Sequence, residues 1–208
     1  MRLVVSKRSM QLALRRLQHL LFACAAVLLG YCAFVLTDAW RFQRAETQRL
    51  ERLLHEEHQT KEPQPKTALG PATLLIIGPD GLIGRMEILR LSISVVVVEG
   101  TEKPTLRRAA GHIFGTALPG ELGNVGIAAH RDTFFWPLRN IQLADMITLT
   151  TLRGEYRYRV VSIKVVSPSD VAVLDSDGHE MLTLVTCYPF YFVGPAPNRF
   201  IVRAERIN

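Results

Sequence analysis

The stretch MLTLVTCYPFYFVGPAPNRFIVRAERI, residues 181–207, contains the pattern that decides the fold. Two runs within it, MLTLVTC (181–187) and RFIVRAERI (199–207), are rich in apolar and β-branched residues. Three prolines and a glycine lie between them, and such residues end strands and form turns. We therefore predict two neighbouring strands. If they pair as a hairpin, the end of the first lies beside the start of the second.

Six further runs of the same kind precede this stretch, separated by Gly, Pro or Asp turns. No convincing helical stretch lies between most of them, so the pattern favours an all-β barrel or sandwich over residues 73–208. The connection SPSDVAVLDSDGHEM (167–181) is long for a hairpin, and long loops in compact domains are often functional. The six runs are TLLII (73–77), IGRMEIL (83–89), SISVVVVE (92–99), NVGIAA (124–129), MITLTTL (146–152) and EYRYRVVSIKVV (155–166).

An uncharged run near the N-terminus, LLFACAAVLLGYCAFVLT (20–37), is typical of a membrane-spanning helix. At about 1.5 Å per residue it would cover about 27 Å, against about 30 Å for a bilayer core. Trp40 follows it, where an aromatic ring suits the interface. A cleaved signal peptide has a shorter apolar region and a small-x-small site, and a buried core helix is the other alternative. We predict an uncleaved anchor over residues 20–37.

The net charge of +6 is concentrated in the N-terminal tail. Residues 1–36 carry five bases and no acid, residues 37–66 carry six of each, and residues 67–208 carry fourteen bases and thirteen acids. Bases before an anchor and a balanced flank after it predict a cytoplasmic tail (1–19) and an extracytoplasmic body at the plasma membrane. Since the body is nearly neutral, nucleic acid is not expected as a partner.

The segment between anchor and strands, residues 38–72, predicts a helical stalk and a linker. Residues 38–58 contain good helix formers without Gly or Pro, and KEPQPKTALGP (61–71) supplies three prolines and a glycine. His55 and His58 lie beside two glutamates, but no third ligand is fixed near them. We expect surface residues there and no metal site.

Cys187 is the cysteine outside the predicted anchor, which holds Cys24 and Cys32. Three cysteines are too few for a disulfide framework. Thiols are mostly protonated at neutral pH, so a cysteine nucleophile needs a base or a positive charge nearby. In a hairpin, Arg199 would share a sheet edge with Cys187, and its guanidinium could hold a developing oxyanion.

Three histidines are candidates for the base: His112, His130 and His179. His130 follows the run NVGIAA at its exit into a turn, whereas His179 lies in a polar segment where we expect exposure. A plainer interpretation stays open for all of these residues. The cysteine could be a packed small residue, the arginine a solvated one and the histidine a satisfied hydrogen-bonding group.

The chain resembles the sortases, the membrane-anchored cysteine transpeptidases. TLVTC (183–187), with an arginine twelve residues later in NRFIVRA, looks like the family's signature. Residues 111–149, which include AAHRDTF, are similar to the stretch around its catalytic histidine, and residues 83–101 resemble its first barrel strands. The overall pattern is most similar to class D.

The resemblance implies a closed eight-stranded barrel in which Cys187 is the nucleophile, His130 the catalytic histidine and Arg199 the essential arginine. It implies cleavage of an LPxTG- or LPxTA-like sorting motif after threonine through a thioester, followed by transfer to an amine of the cell envelope. The loop 167–181 would wall the peptide groove. Asp132 and Asp145 match recurrent positions that look structural. The substrate-binding residues predicted on this basis are Thr183, Thr186, Ser167, Val171 and Leu174.

Two positions depart from the family pattern. Ala129 stands where glycine is common before the histidine, and Leu89–Arg90 stands where Ile–Pro is usual. No cofactor or metal is expected, since no ligand cluster is visible in the sequence. Two other functions remain open: an anchored β-domain that binds an envelope partner without chemistry, and a cysteine hydrolase in which water resolves the thioester.

Overall fold

A computed structural model describes residues 7–59, 78, 81–192 and 194–207. The chain forms two compact units, Met1–Arg41 and Phe42–Asn208. The predicted linker (61–71) and the predicted strand TLLII (73–77) lie outside the described residues.

One long helix, α1 (Lys7–Gln59), contains both the predicted anchor and the predicted helix over residues 38–58. Within the described part of the chain, it is the helix long and apolar enough to cross a membrane. In the first unit of the chain, large apolar side chains of this helix, such as Leu20, Phe22 and Leu29, are exposed. No residue in the most apolar stretch of the helix is buried. This exposure argues against a buried core helix and is consistent with a membrane anchor.

The second unit is a closed barrel, as predicted. Its strands are β1 (Leu82–Ile88), β2 (Ile93–Glu99), β3 (Ala110–His112), β4 (Asn124–Ala128), β5 (Met146–Thr151), β6 (Gly154–Val166), β7 (Met181–Tyr188) and β8 (Asn198–Ile207). They follow the order β1-β2-β3-β4-β7-β8-β6-β5 around the barrel. The β2–β3 and β4–β7 pairs are parallel, and the others are antiparallel.

Short helical elements connect some of the strands. Helix α2 (Lys103–Arg108) lies between β2 and β3, and 3₁₀ turns cover Leu89–Leu91, Trp136–Asn140 and Val171–Leu174. The sequence analysis missed β3, whose three residues, AGH, include no β-branched residue. Pairing with β2 and β4, rather than local propensity, makes this segment a strand.

The barrel is filled by apolar side chains from all around the sheet, and Met86, Ile127, Leu149, Leu184 and Val202 are fully buried there. Because apolar side chains fill the interior, a site for polar chemistry is expected at an end of the barrel.

A second apolar cluster covers the β2 region on the other face of the sheet. Val95 and Val97 belong to the main core, whereas Val96 and Val98 pack with Leu50 of α1. Alternation along the strand puts the two pairs on opposite faces, which explains why the VVVV run is apolar throughout. Phe42, Leu54 and Leu152 pack against the same cluster.

Candidate active site

Cys187 and Arg199 lie directly opposite each other in the β7–β8 ladder. Opposite residues of an antiparallel pair project from the same face, with Cβ atoms about 4.5–5.5 Å apart. Both side chains are half-buried, and both line one cavity. The predicted pairing of strands is therefore confirmed, and it brings the thiol and the guanidinium together.

His130 reaches the same cavity through a different strand pair. β4 and β7 are parallel, with Ala128 paired with Val185, and both His130 and Cys187 follow two residues later and line one cavity. Hydrogen bonds continue the pairing beyond β4: the Ala129 N–H donates to Val185 O at 3.3 Å. The imidazole is exposed. Three distant stretches of chain thus meet at one end of the barrel.

Thr186 fixes the segment that carries the histidine. Its hydroxyl donates to Ala129 O at 2.7 Å, and the side chain is only 2% exposed. A buried carbonyl without a partner is costly, so this bond favours the observed register of β4 against β7. Residue 129, where the resemblance leads us to expect glycine, is alanine, and its side chain is buried in the barrel core.

Thr183 has a similar supporting position and is 0% exposed. Its hydroxyl donates to Asn124 Oδ1 at 2.8 Å, and Asn124 Nδ2 donates to Val173 O at 3.2 Å. These bonds tie the 3₁₀ turn Val171–Leu174 to the barrel wall. Neither Thr183 nor Thr186 offers an exposed hydroxyl to a peptide.

The other predicted substrate-binding residues lie in the connection between β6 and β7. Val171 is 69% exposed, Leu174 is half-buried, and the Ser167 hydroxyl lies 2.9 Å from that of Ser169. None of the three is among the described residues that line the Cys187 cavity. The structure therefore groups Cys187, His130 and Arg199, and leaves Ser167, Val171 and Leu174 on a separate loop.

The cavity has a volume of about 390 Å³ and a lining of mixed charge. Arg131 and Arg199 bring positive charge, and Asp132 is the carboxylate among the described lining residues. One wall belongs to the described residues between β7 and β8, 189–192 and 194–197, which we call the β7–β8 loop. It contributes Gly194, Pro195 and Ala196. Asp132, predicted to be structural, is exposed at this cavity.

Both arginines of the cavity donate to this loop. Arg199 Nη1 donates to Asn198 O at 3.0 Å and to Ala196 O at 3.4 Å. Arg131 Nη2 donates to Phe192 O at 2.6 Å and to Gly194 O at 3.0 Å. No role is predicted for Arg131 from the sequence, although it directly follows His130 in the AAHRDTF segment. The signal was its position directly after the histidine, although which carbonyls it meets depends on the tertiary fold.

The two other candidate histidines lie away from the cavity. His112 is buried: its Nδ1 lies 2.8 Å from Glu99 Oε2 and its Nε2 lies 2.9 Å from Ala117 O. His179 is exposed beside Asp177, at the opposite end of β7. A larger cavity of about 600 Å³ lies there, lined partly by Met181 and Glu205, and it contains none of the proposed catalytic residues.

The unusual Leu89–Arg90 pair has a structural explanation. Arg90 forms a two-pronged ion pair with Asp145 and also donates to Asn140 O at 2.7 Å. Hydrogen bonds from Arg90 and from the Gln142 N–H hold the pKa of the Asp145 carboxyl below its usual value, although burial acts the other way. Asp145 thus joins the 3₁₀ turn at Leu89–Leu91 to the start of β5, and it lies outside the cavity.

The described residues contain no group of three or more His, Cys, Asp or Glu side chains arranged to hold a metal ion. The cavity instead combines a thiol, an imidazole and a guanidinium. These are the groups that a thiol-based acyl transfer requires: a nucleophile, a proton carrier and a fixed cation for a developing oxyanion.

Comparisons with known proteins identify the family of the chain. The family model "Sortase domain" matches residues 86–207. Sortase D of Bacillus subtilis (strain 168) is 33% identical over 126 residues, which are 60% of this chain and 64% of that protein. Sortase A of Bacillus anthracis is 25% identical over 199 residues, 91% of this chain and 92% of that protein.

Solved structures give the same result at the level of the fold. A sortase D5 transpeptidase of Clostridium perfringens superposes with a TM-score of 0.63 and 27% identity, covering 81% of this chain and 99% of that one. Sortase C-1 of Streptococcus pneumoniae superposes with a TM-score of 0.60 and 25% identity, covering 79% of this chain and 91% of that one.

Proposed function

The chain belongs to the sortase family, and we propose on that basis that it is a membrane-anchored cysteine transpeptidase whose chemistry rests on Cys187, His130 and Arg199. The single observation that carries the proposal is the direct pairing of Cys187 with Arg199 in a cavity that His130 also lines. Class D is the subdivision that the likeness to the B. subtilis and C. perfringens proteins favours.

In the first half-reaction, the Cys187 thiolate attacks the carbonyl carbon of a threonine in the substrate while His130 carries a proton. A C–S bond forms, the C–N bond to the next residue breaks, and His130 gives a proton to the leaving amine. The carbonyl oxygen carries negative charge in the transition state. The Arg199 guanidinium can donate to it and cannot lose its own proton near neutral pH.

In the second half-reaction, an amine attacks the thioester carbonyl. A new amide bond forms, the C–S bond breaks, and His130 takes the proton that the attacking amine loses. The histidine therefore returns to its starting state, and the sulfur is free for the next turnover. An amine of the cell envelope as acceptor, and a protein with an LPxTG- or LPxTA-like motif as substrate, are parts of this proposal.

We propose different roles for the residues predicted to bind substrate. The peptide groove is walled by the connection between β6 and β7, where Val171 is the exposed apolar side chain and Ser167 and Leu174 lie nearby in the chain. Thr183 and Thr186 are buried and hydrogen-bonded, so we assign them to holding that connection and the His130 segment rather than to contact with the peptide.

The proposed location is the plasma membrane, with a single span at residues 20–37. We assign residues 1–19 to a cytoplasmic tail, 38–72 to the stalk and linker, and 73–208 to the extracytoplasmic catalytic domain. The supporting observation is the excess of bases before the apolar run, because positive charge is retained on the cytoplasmic side.

The decisive experiment uses the full-length protein in detergent with a sorting-motif peptide and a primary amine. We expect a thioester on Cys187 detectable by mass spectrometry, and amide product only when amine is added. Cys187→Ala should abolish both, and the matched controls Cys24→Ala and Cys32→Ala should retain both. Product formation in Cys187→Ala would exclude the mechanism. Equal peptide cleavage with and without amine, and no amide product, would instead indicate a hydrolase.

A further inference from the structure

Arg131 connects the histidine segment to the β7–β8 loop. Its Nη2 donates to two carbonyls of that loop, Phe192 O at 2.6 Å and Gly194 O at 3.0 Å. Its guanidinium carbon also lies 5.8 Å from the centroid of the Phe192 ring, within range of a cation–π interaction. An arginine that served only solubility would point into solvent, whereas this one is half-buried and bonded to backbone.

The loop has a second attachment to the same segment. The ring of Trp136, six residues after His130, meets Tyr191 edge-to-face at 5.0 Å between centroids and Phe190 at 6.5 Å. Aromatic pairs of this kind stabilise by about 0.5–1.5 kcal/mol beyond their area burial. The aromatic contacts hold the start of the loop, and Arg131 holds its middle.

The far end of the loop joins the proposed catalytic arginine. Arg199 Nη1 donates to Ala196 O, and Gly194, Pro195 and Ala196 form one wall of the cavity. A movement of the loop middle therefore changes both the wall and the carbonyl that orients the Arg199 guanidinium. Two arginines, one from each side of the cavity, bind the same short segment.

We propose that Arg131 is a positioning residue that holds the β7–β8 loop in place as the wall of the cavity and thereby orients Arg199 toward the substrate carbonyl. The proposal rests on the proposed function, since it concerns how that site is kept in its working geometry. Arg131 acts on the reaction through the loop and through Arg199. One guanidinium nitrogen makes both bonds; a lysine ammonium also has several N–H donors, but its side chain is one atom shorter, so we expect it to replace the two bonds only in part.

The test compares Arg131→Gln and Arg131→Lys with wild type in the full-length protein in detergent. We expect Arg131→Gln to lower kcat/KM for a sorting-motif peptide at least roughly tenfold, because small displacements of a positioned group are costly in rate. Arg131→Lys should recover only part of this loss. Arg157→Gln, an exposed arginine paired with Glu155, is the matched control and should behave as wild type.

Hydrogen exchange supplies a readout that does not depend on turnover. We expect faster exchange of the amides of the β7–β8 loop in Arg131→Gln, with protection in β7 and β8 unchanged and the same melting temperature. Loop protection equal to that of wild type would overturn the proposal, as would a kcat/KM within threefold of wild type. The proposal would also be overturned if Arg131→Gln lost protection throughout the barrel while Arg131→Lys kept wild-type protection and kcat/KM. A positive charge of similar size at this position would then be enough to stabilise the fold, without the bonds to the loop. A wild-type protein without transfer activity would count against the proposed function, while the exchange result would still decide the loop's attachment.

Discussion

Replacing Leu50 with alanine should destabilise the barrel, although Leu50 belongs to the helix that precedes it. Leu50 is 1% exposed and packs with Val96 and Val98 of β2. Close by, the side-chain amide of Gln43 bonds to two backbone groups. Its Nε2 donates to Arg108 O at 2.6 Å, and its Oε1 accepts from the Val96 N–H at 2.8 Å. Since the side chain of Val96 is fully buried, the strand depends on the helix for both apolar cover and a hydrogen-bond partner.

The expected magnitude follows from the atoms removed. Leucine loses three carbons on going to alanine, and at about 0.8 kcal/mol per buried methylene the transfer free energy is about 2.5 kcal/mol. A residual cavity raises the cost, and fully buried Leu→Ala changes cost about 2–5 kcal/mol. Gln43→Ala should cost about 1–3 kcal/mol, because it leaves the Val96 N–H without its partner. A fragment that starts at residue 73 lacks both contacts and should be less stable than either variant.

Urea unfolding of the full-length protein in a nonionic detergent measures this loss. Trp40→Phe should be the background for all variants, so that the fluorescence of Trp136 reports on the barrel. Gln48→Ala, an exposed position on the same helix, is the matched control and should change the free energy of unfolding by less than about 0.5 kcal/mol. A loss in Leu50→Ala no larger than in Gln48→Ala would refute the idea that the helix stabilises the barrel.

Three other predictions concern the supports of the site. Thr186→Val should lower the free energy of unfolding by about 1–3 kcal/mol, because it leaves Ala129 O without its partner, and should reduce peptide turnover as His130 shifts. Thr186→Ser keeps the hydroxyl and should restore both properties. Thermal melting and peptide cleavage measure the two effects. The Asp145 pKa is lower in the folded protein, so the stability that Asp145 contributes is complete above the unfolded pKa of about 3.9 and is lost as pH falls through the folded value. Asp145→Asn should therefore be less stable than wild type in urea at pH 7 and differ less at pH 3; an equal difference at both pH values would contradict the sign. Asp132→Asn should slow transfer to a cationic amine such as ethylamine by roughly threefold to tenfold at low salt, because the attraction of the ammonium group is lost. Transfer to hydroxylamine, which is mostly uncharged at neutral pH, should not change. Equal slowing of both acceptors would argue against an electrostatic role.

Sequence patterns predicted those structural features that depend on residues close to one another in the chain. Cys187 and Arg199 end and begin consecutive strands, so a hairpin was enough to bring them together. The apolar run 20–37 indicated a long exposed helix through composition alone. The docking of α1 was missed, because Phe42, Leu50 and Leu54 alone show only a loosely helical spacing. The apolar VVVV run was a second signal, since a strand that is apolar on both faces requires cover on both sides.

Side chains whose partners are distant in sequence could not be predicted. Arg90 replaces a residue of an Ile–Pro pair, and nothing near it in the sequence indicates that Asp145, fifty-five positions later, accepts from its guanidinium. Arg131 could be noticed beside His130, but its two carbonyl partners lie more than sixty residues away. Thr183 and Thr186 lie in the TLVTC motif and are predicted from the resemblance to bind substrate. Their burial indicates that a motif residue can serve the site by holding its neighbours.

The meeting of sulfur, imidazole and guanidinium depends on two strand registers at once. Cys187 opposes Arg199 in an antiparallel ladder, and His130 arrives beside Cys187 through a parallel one. Side chains alternate between faces, so a slip of one residue in either ladder would turn a group of the site to the opposite side of the sheet. A parallel pair has no tight turn to set its register, unlike a hairpin. The bond from the buried Thr186 hydroxyl to Ala129 O supplies a constraint at that point, one residue before both Cys187 and His130. In this chain, the site at the end of the barrel therefore depends on the buried Thr186 hydroxyl as well as on the apolar interior.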